Sequence, residues 1–137
     1  MNVVFEVGDR IPEWRVESVP VEKMKILAAI LRDPNPIHWD HQAVSEQGLG
    51  DSLINQGPIN ICYITNMLQL WSGARSIRSL RARFTANVFE GENVSAQGVI
   101  ISIQDKGGVK LVDLQVWLEK SDGTKAVEGS AQVSFPL

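Results

Sequence analysis

From residue 80 to its end the chain alternates apolar and polar positions with a period of two. Four segments carry that pattern: 80–89 (LRARFTANVF), 93–105 (NVSAQGVIISIQD), 109–120 (VKLVDLQVWLEK) and 125–137 (KAVEGSAQVSFPL). Each reads as a strand, because successive side chains of extended backbone point to opposite faces. Val112, Leu114, Val116 and Leu118 share one face, as do Val127, Ala131, Val133 and Phe135. The linkers EGEN, DKGG and SDGT have the glycine and Asx chemistry of tight turns, which predicts an antiparallel meander. Before residue 80 the period is helical. In VEKMKILAAILR (21–32), Met24, Leu27, Ala28 and Leu31 fall at i, i+3, i+4 and i+7, one face of an amphipathic helix between Pro20 and Asp33-Pro34. Asp40 is placed to cap a short helix, HQAVSEQ, that stops at Gly48. Residues 57–73 (GPINICYITNMLQLWSG) have proline just inside the start and glycine at the end, and apolar residues around nearly the whole circumference. That predicts a buried helix. With a first strand near residues 2–7, the expectation is an α+β fold, a sheet curled around one central helix.

Composition narrows the setting. At 137 residues the chain predicts a single domain, 1–137, without repeats or linkers. Apolar residues make up 44% and charged residues 21%, the balance of a soluble globular protein rather than a disordered one. A net charge of −3 gives no electrostatic reason to expect nucleic acid as a partner. The single cysteine, Cys62, excludes an internal disulfide and a cysteine metal cluster. The start of the chain lacks the basic and apolar regions of a signal peptide, and no apolar run reaches membrane-span length, so a cytoplasmic location is expected.

The candidate chemistry lies in RDPNPIHWD, residues 32–40. Pro34 and Pro36 stiffen the backbone between Asp33 and His38, predicting a rigid, extended loop. Asn35 can pin the turn through its side chain. A carboxylate and an imidazole displayed together suit proton transfer to and from one small molecule such as water. The bland alternative is that Asp33 is a cap and His38 a satisfied surface residue. Gly57 enters the central helix with its N–H at a helix N-terminus, a natural place for an oxyanion; Pro58 has no N–H to offer. Here the alternative is a glycine needed only for the turn. No acidic residue occurs between Asp51 and Glu90, whereas ARSIRSLRARF holds Arg75, Arg78, Arg81 and Arg83. Those arginines could meet the phosphates of coenzyme A or an acidic carrier protein, or form a solvated strand face. His38 and His41 lack a second ligand cluster, and phosphate-loop motifs are absent, so no metal and no cofactor is expected.

DPNPIHWD resembles the hydratase-2 motif of the MaoC-like (R)-specific enoyl-CoA hydratases and 3-hydroxyacyl-thioester dehydratases. FEVGDRIP and RFTANVFEGENV are similar to that family's opening strand and strand motif in place and spacing, so the likeness covers almost the whole chain. It implies a hotdog fold, an antiparallel sheet wrapped around a central helix and dimeric by sheet extension. It also implies reversible syn hydration of trans-2-enoyl thioesters to (R)-3-hydroxyacyl thioesters, with coenzyme A or acyl carrier protein bearing the acyl group. Asp33 and His38 match the catalytic pair and Gly57 the oxyanion glycine. The chain departs from the family pattern at Arg32 for glycine, Gln56 for histidine, Pro58 for an apolar residue and Asn87 for proline. Asn60, Thr65 and Asn66 make the central helix more polar than a long-chain lipid tunnel would want. Two alternatives remain at this level. One is an accessory hotdog subunit that pairs with a catalytic partner; the other is a hotdog thioesterase, disfavoured by the absence of Asp and Glu from residues 58–72.

Overall fold

The computed structural model describes residues 4–136. In chain order the elements are β1 (Trp14–Val16), α1 (Val21–Leu31), a 3-10 turn (Pro36–His38), α2 (His41–Glu46), α3 (Gly57–Ser72), β2 (Ile77–Phe84), β3 (Val94–Lys106), β4 (Val109–Lys120) and β5 (Lys125–Pro136). The strands form one antiparallel sheet in the order β1-β3-β4-β5-β2, and α3 packs against it. This is the expected α+β hotdog arrangement. Val112, Leu114, Val116 and Leu118 of β4 are fully buried and join Ile64, Met67 and Leu68 of α3 in the core. Fully burying such a side chain is worth about 1.5–3 kcal/mol. An exposed ion pair is worth about 0–1 kcal/mol, so this row, not surface charge, holds the helix to the sheet.

Four expectations need correction. No strand occupies residues 4–7, and residues 2 and 3 lie outside the described residues. Gly8 turns the chain at φ 96°, and only after the isolated Arg10–Val99 bridge does regular pairing begin, at Trp14. Secondly, the strand expected over 80–89 ends at Phe84, and β2 pairs with β5 rather than with its sequence neighbour β3. The meander is therefore β3-β4-β5 only, and residues 85–93 carry the chain from one end of the sheet to the other. Thirdly, Leu31 is 49% exposed, because α1 ends at that residue, while Met24 and Ala28 are buried. Finally, α3 is buried on one side only: Ile59, Asn60, Tyr63, Ile64, Met67 and Leu68 face inward, whereas Cys62 is exposed and Leu70 is 68% exposed. A single sheet covers one side of a helix, and among the described residues no second layer covers the other.

Candidate active site

The loop after α1 is a relay of local caps. Arg32 closes the helix in the left-handed conformation (φ 51°, ψ 40°), and the Asp33 N–H donates to the Ala28 carbonyl at 2.9 Å. Pro34 then prevents any helical continuation. Asp33 Oδ1 accepts the Asn35 N–H at 3.0 Å, and Asn35 Oδ1 in turn accepts the Ile37 N–H at 3.4 Å. The Pro36 carbonyl takes the N–H groups of Trp39 and Asp40, after which Asp40 caps α2 through the N–H groups of Gln42 and Ala43. The stretch expected to be extended is thus a 3-10 turn at its centre. Proline suits that turn as well, since its fixed φ is already helical. Asn35 bonds locally within the turn through its side chain.

The left-handed Arg32 is an avoidable cost, because a side chain there meets the following carbonyl whereas glycine does not. Arg32→Gly is expected to stabilise the chain by about 1 kcal/mol. Differential scanning calorimetry should then show a midpoint roughly 3–5 °C higher.

His38 is 8% exposed, and its ring is held from behind. Nδ1 lies 2.6 Å from the Ile54 carbonyl. A carbonyl only accepts, so Nδ1 carries the proton and Nε2 of the neutral ring is left as a lone pair. That lone pair faces Asp33 Oδ2 at 3.5 Å. Because Oδ1 is occupied by Asn35, the free oxygen of the carboxylate is the one turned toward the imidazole. Two acceptors at that separation need a proton or a proton-bearing molecule between them. Beside them a groove of about 460 Å³ is lined by Lys25, Ala28, Ala29, Asp33 and Trp39. The two alanines leave the room, and Asp33 stands at its edge.

Gly57 is brought to the same region along the backbone. The Ile54 N–H donates to the Ile37 carbonyl at 3.1 Å, so Ile54 lies against the His38 turn, and Gly57 follows three residues later. At the start of α3 the N–H groups of Ile59 and Asn60 both turn back to the Gln56 carbonyl, and Pro58 has none. The Gly57 N–H is the remaining first-turn donor, without an acceptor among the described residues. Its lack of a side chain has a second cause besides the turn. A Cβ at Gly57 would come within 2.8 Å of Phe84 Cζ, so the Phe84 ring covers this end of the helix.

The four arginines do not converge on this region. Leu80 and Phe84 pair with buried Ala131 and Val127, so alternation sends Arg81 and Arg83 to the sheet face away from α3. Arg83 lies 3.7 Å from Glu128, Arg78 Nε donates to Ser134 Oγ at 2.8 Å, and Arg75 precedes the strand. Among the described residues no cluster of three or more His, Cys, Asp or Glu side chains could hold a metal, and no helix is long and apolar enough to cross a membrane.

Sequence reasoning did not find the Ile54 carbonyl, Trp39 or Phe84. A backbone carbonyl leaves no residue-type signal. Phe84 reads in sequence as one more inward strand position.

Solved structures match the fold over nearly the full chain. The (R)-hydratase from A. caviae involved in PHA biosynthesis superposes with a TM-score of 0.84 at 20% identity, covering 98% of this chain and 99% of that one. The fold is that of the MaoC-like dehydratases and (R)-hydratases. R-hydratase PhaJ1 from Pseudomonas aeruginosa, in its unliganded form, has a TM-score of 0.79 at 21% identity, covering 97% of this chain and 88% of that one. A chain of the ChsH1-ChsH2 complex from Mycobacterium tuberculosis has a TM-score of 0.79 at 20% identity, covering 98% and 99%. No family model and no curated protein sequence matches the chain. At these identities the likeness is one of fold, so the MaoC-like hotdog describes the scaffold, and the reaction has to be argued from the loop it carries.

Proposed function

We propose that the protein is a hydro-lyase that adds water reversibly and syn across the double bond of a trans-2-enoyl thioester, giving the (R)-3-hydroxyacyl thioester. The observation that carries this reading is the unshared edge of His38 Nε2 facing the free oxygen of Asp33 at 3.5 Å, each group fixed from behind. In the hydration direction the pair begins with one proton between its two members. Water oxygen bonds to C3 as one member takes a water proton; the other member's proton goes to C2, and the carbon–carbon double bond becomes single. The pair again holds one proton. In between, charge gathers on the thioester oxygen, where the Gly57 N–H is the donor. Delivery of both atoms from one loop accounts for syn addition. Asp33 and His38 divide the acid and base roles between them.

The thioester is carried by coenzyme A or an acyl carrier protein and is substrate, not cofactor. Arg75, Arg78, Arg81 and Arg83 are exposed but do not converge on the loop, so any charge they offer to its phosphates acts at the protomer surface, away from the reacting pair. The (R)-hydratases with this fold support the reaction class. The purified protein is expected to bleach the enoyl absorbance of crotonyl-coenzyme A and form the (R)-alcohol by chiral chromatography. Release of free coenzyme A instead would point to a thioesterase.

A second reading is favoured by the half-open face of α3 and the unpaired edge of β2, an eight-residue strand with a neighbour on one side only. Such an edge needs covering. The partner is a second copy of this chain or another hotdog subunit, as in the two-component ChsH1-ChsH2 complex. In the heteromeric case this chain could serve as an accessory subunit. Size-exclusion chromatography of the chain alone, followed by assay of the dimer peak, separates a self-sufficient homodimer from a subunit awaiting its partner.

A further inference from the structure

Gln56 hydrogen-bonds the helix carrying Gly57 to α1, the helix that precedes Asp33, and nothing in the proposed chemistry uses it. Its side chain is 1% exposed. Nε2 donates to the Met24 carbonyl of α1 at 2.9 Å, while Oε1 has no partner. A carbonyl only accepts, so the amide orientation is set by this single bond. Its backbone carbonyl meanwhile takes the N–H groups of Ile59 and Asn60, which makes Gln56 the N-cap of α3. One residue thus grips both helices.

The grip lies one helical turn from Asp33's own anchor. Met24 and Ala28 are buried one above the other on α1; the first carbonyl holds Gln56 and the second holds the Asp33 N–H. Met24 lies inside α1, where its carbonyl also serves the helix's own i→i+4 bond, so the bond from Gln56 is additional to what the helix needs. We infer that Gln56 is a positioning residue: it sets the distance between the Gly57 N–H and the Asp33–His38 pair by fixing the start of α3 to α1. The inference rests on the hydro-lyase reading for its catalytic consequence, but its geometric content stands apart from it.

Gln56→Met keeps the volume and removes the donor, and Gln56→Asn keeps the amide but is one methylene too short to reach Met24. A displacement near 1 Å at a reacting centre costs about 10²-fold. Both variants are therefore expected to lose about 10²-fold in kcat on crotonyl-coenzyme A with KM changed less than about threefold, at a thermal midpoint within about 5 °C of the parent. In both folded variants the amides of Ile59 and Asn60, which bond to the Gln56 carbonyl, should exchange hydrogen about tenfold faster or more. Unchanged exchange at these amides overturns the inference, as does a fall in kcat that only tracks unfolding. If the parent hydrates no enoyl thioester, the proposed reaction fails by itself. Exchange at the start of α3 then still decides whether Gln56 anchors it to α1.

Discussion

Asp33→Asn is expected to lower kcat by about 10²–10⁴-fold with the fold intact. The amide keeps an oxygen to accept the Asn35 N–H, so the cap that shapes the loop survives, and what disappears is the charge and proton exchange at the oxygen facing His38. His38→Ala should cost as much activity, with a structural consequence that Asp33→Asn lacks. It strips the donor from the Ile54 carbonyl, and leaving a buried acceptor without its partner costs about 1–3 kcal/mol. Stopped-flow loss of enoyl absorbance, paired with urea unfolding of each variant, reads both effects. Undiminished turnover in both variants would remove the pair from the mechanism. A large stability loss in Asp33→Asn but not in His38→Ala would contradict the hydrogen bonding described above.

Gly129→Ala is expected to destabilise the protein by about 3 kcal/mol or more. Gly129 sits in β5 opposite Ala82 of β2 and Val116 of β4. A Cβ there would overlap the Arg81 carbonyl and crowd Ala82 Cα. These are backbone atoms in a paired strand and cannot rotate aside as a side-chain tip can, so β2 would have to leave β5. Fully buried Val127, which pairs with Phe84, would be exposed as β2 left, and the Phe84 ring would lose its place over Gly57. Urea unfolding should show a lower midpoint, with activity falling in parallel. The contrast with Gly57 is instructive. There the obstacle is the far end of the half-exposed Phe84 side chain, which can swing away, so the fold should tolerate a methyl group better than Gly129 does.

Legibility followed the range of the interactions. β4 was readable to the residue at both ends, because alternation over 109–120 is a local property of the sequence and the core then rewards it. The caps were readable for the same reason: Asp33, Asn35 and Asp40 each bond within three residues, and their short polar side chains compete with backbone wherever they stand. The loop backbone was misjudged where two conformations share proline's φ. The pairing of β2 with β5 was not readable, since strands pair through backbone edges that carry no residue-type signal of which strand lies beside them. A glycine in the middle of β5 was a signal of close backbone approach that went unused.

By its own order of residues the chain determined its α+β class, the extents of α1, α3 and the last three strands, and the presence of a carboxylate and an imidazole on one proline-stiffened loop. Tertiary structure alone decided that Ile54 would hold the Nδ1 proton of His38, that Oδ2 and Nε2 would meet, and that Gln56 would tie Gly57 to α1. Two of those contacts, 16 and 32 positions apart, run through backbone carbonyls, which every residue possesses and no residue type announces; the third joins two side chains five positions apart whose meeting depends on how His38 is held.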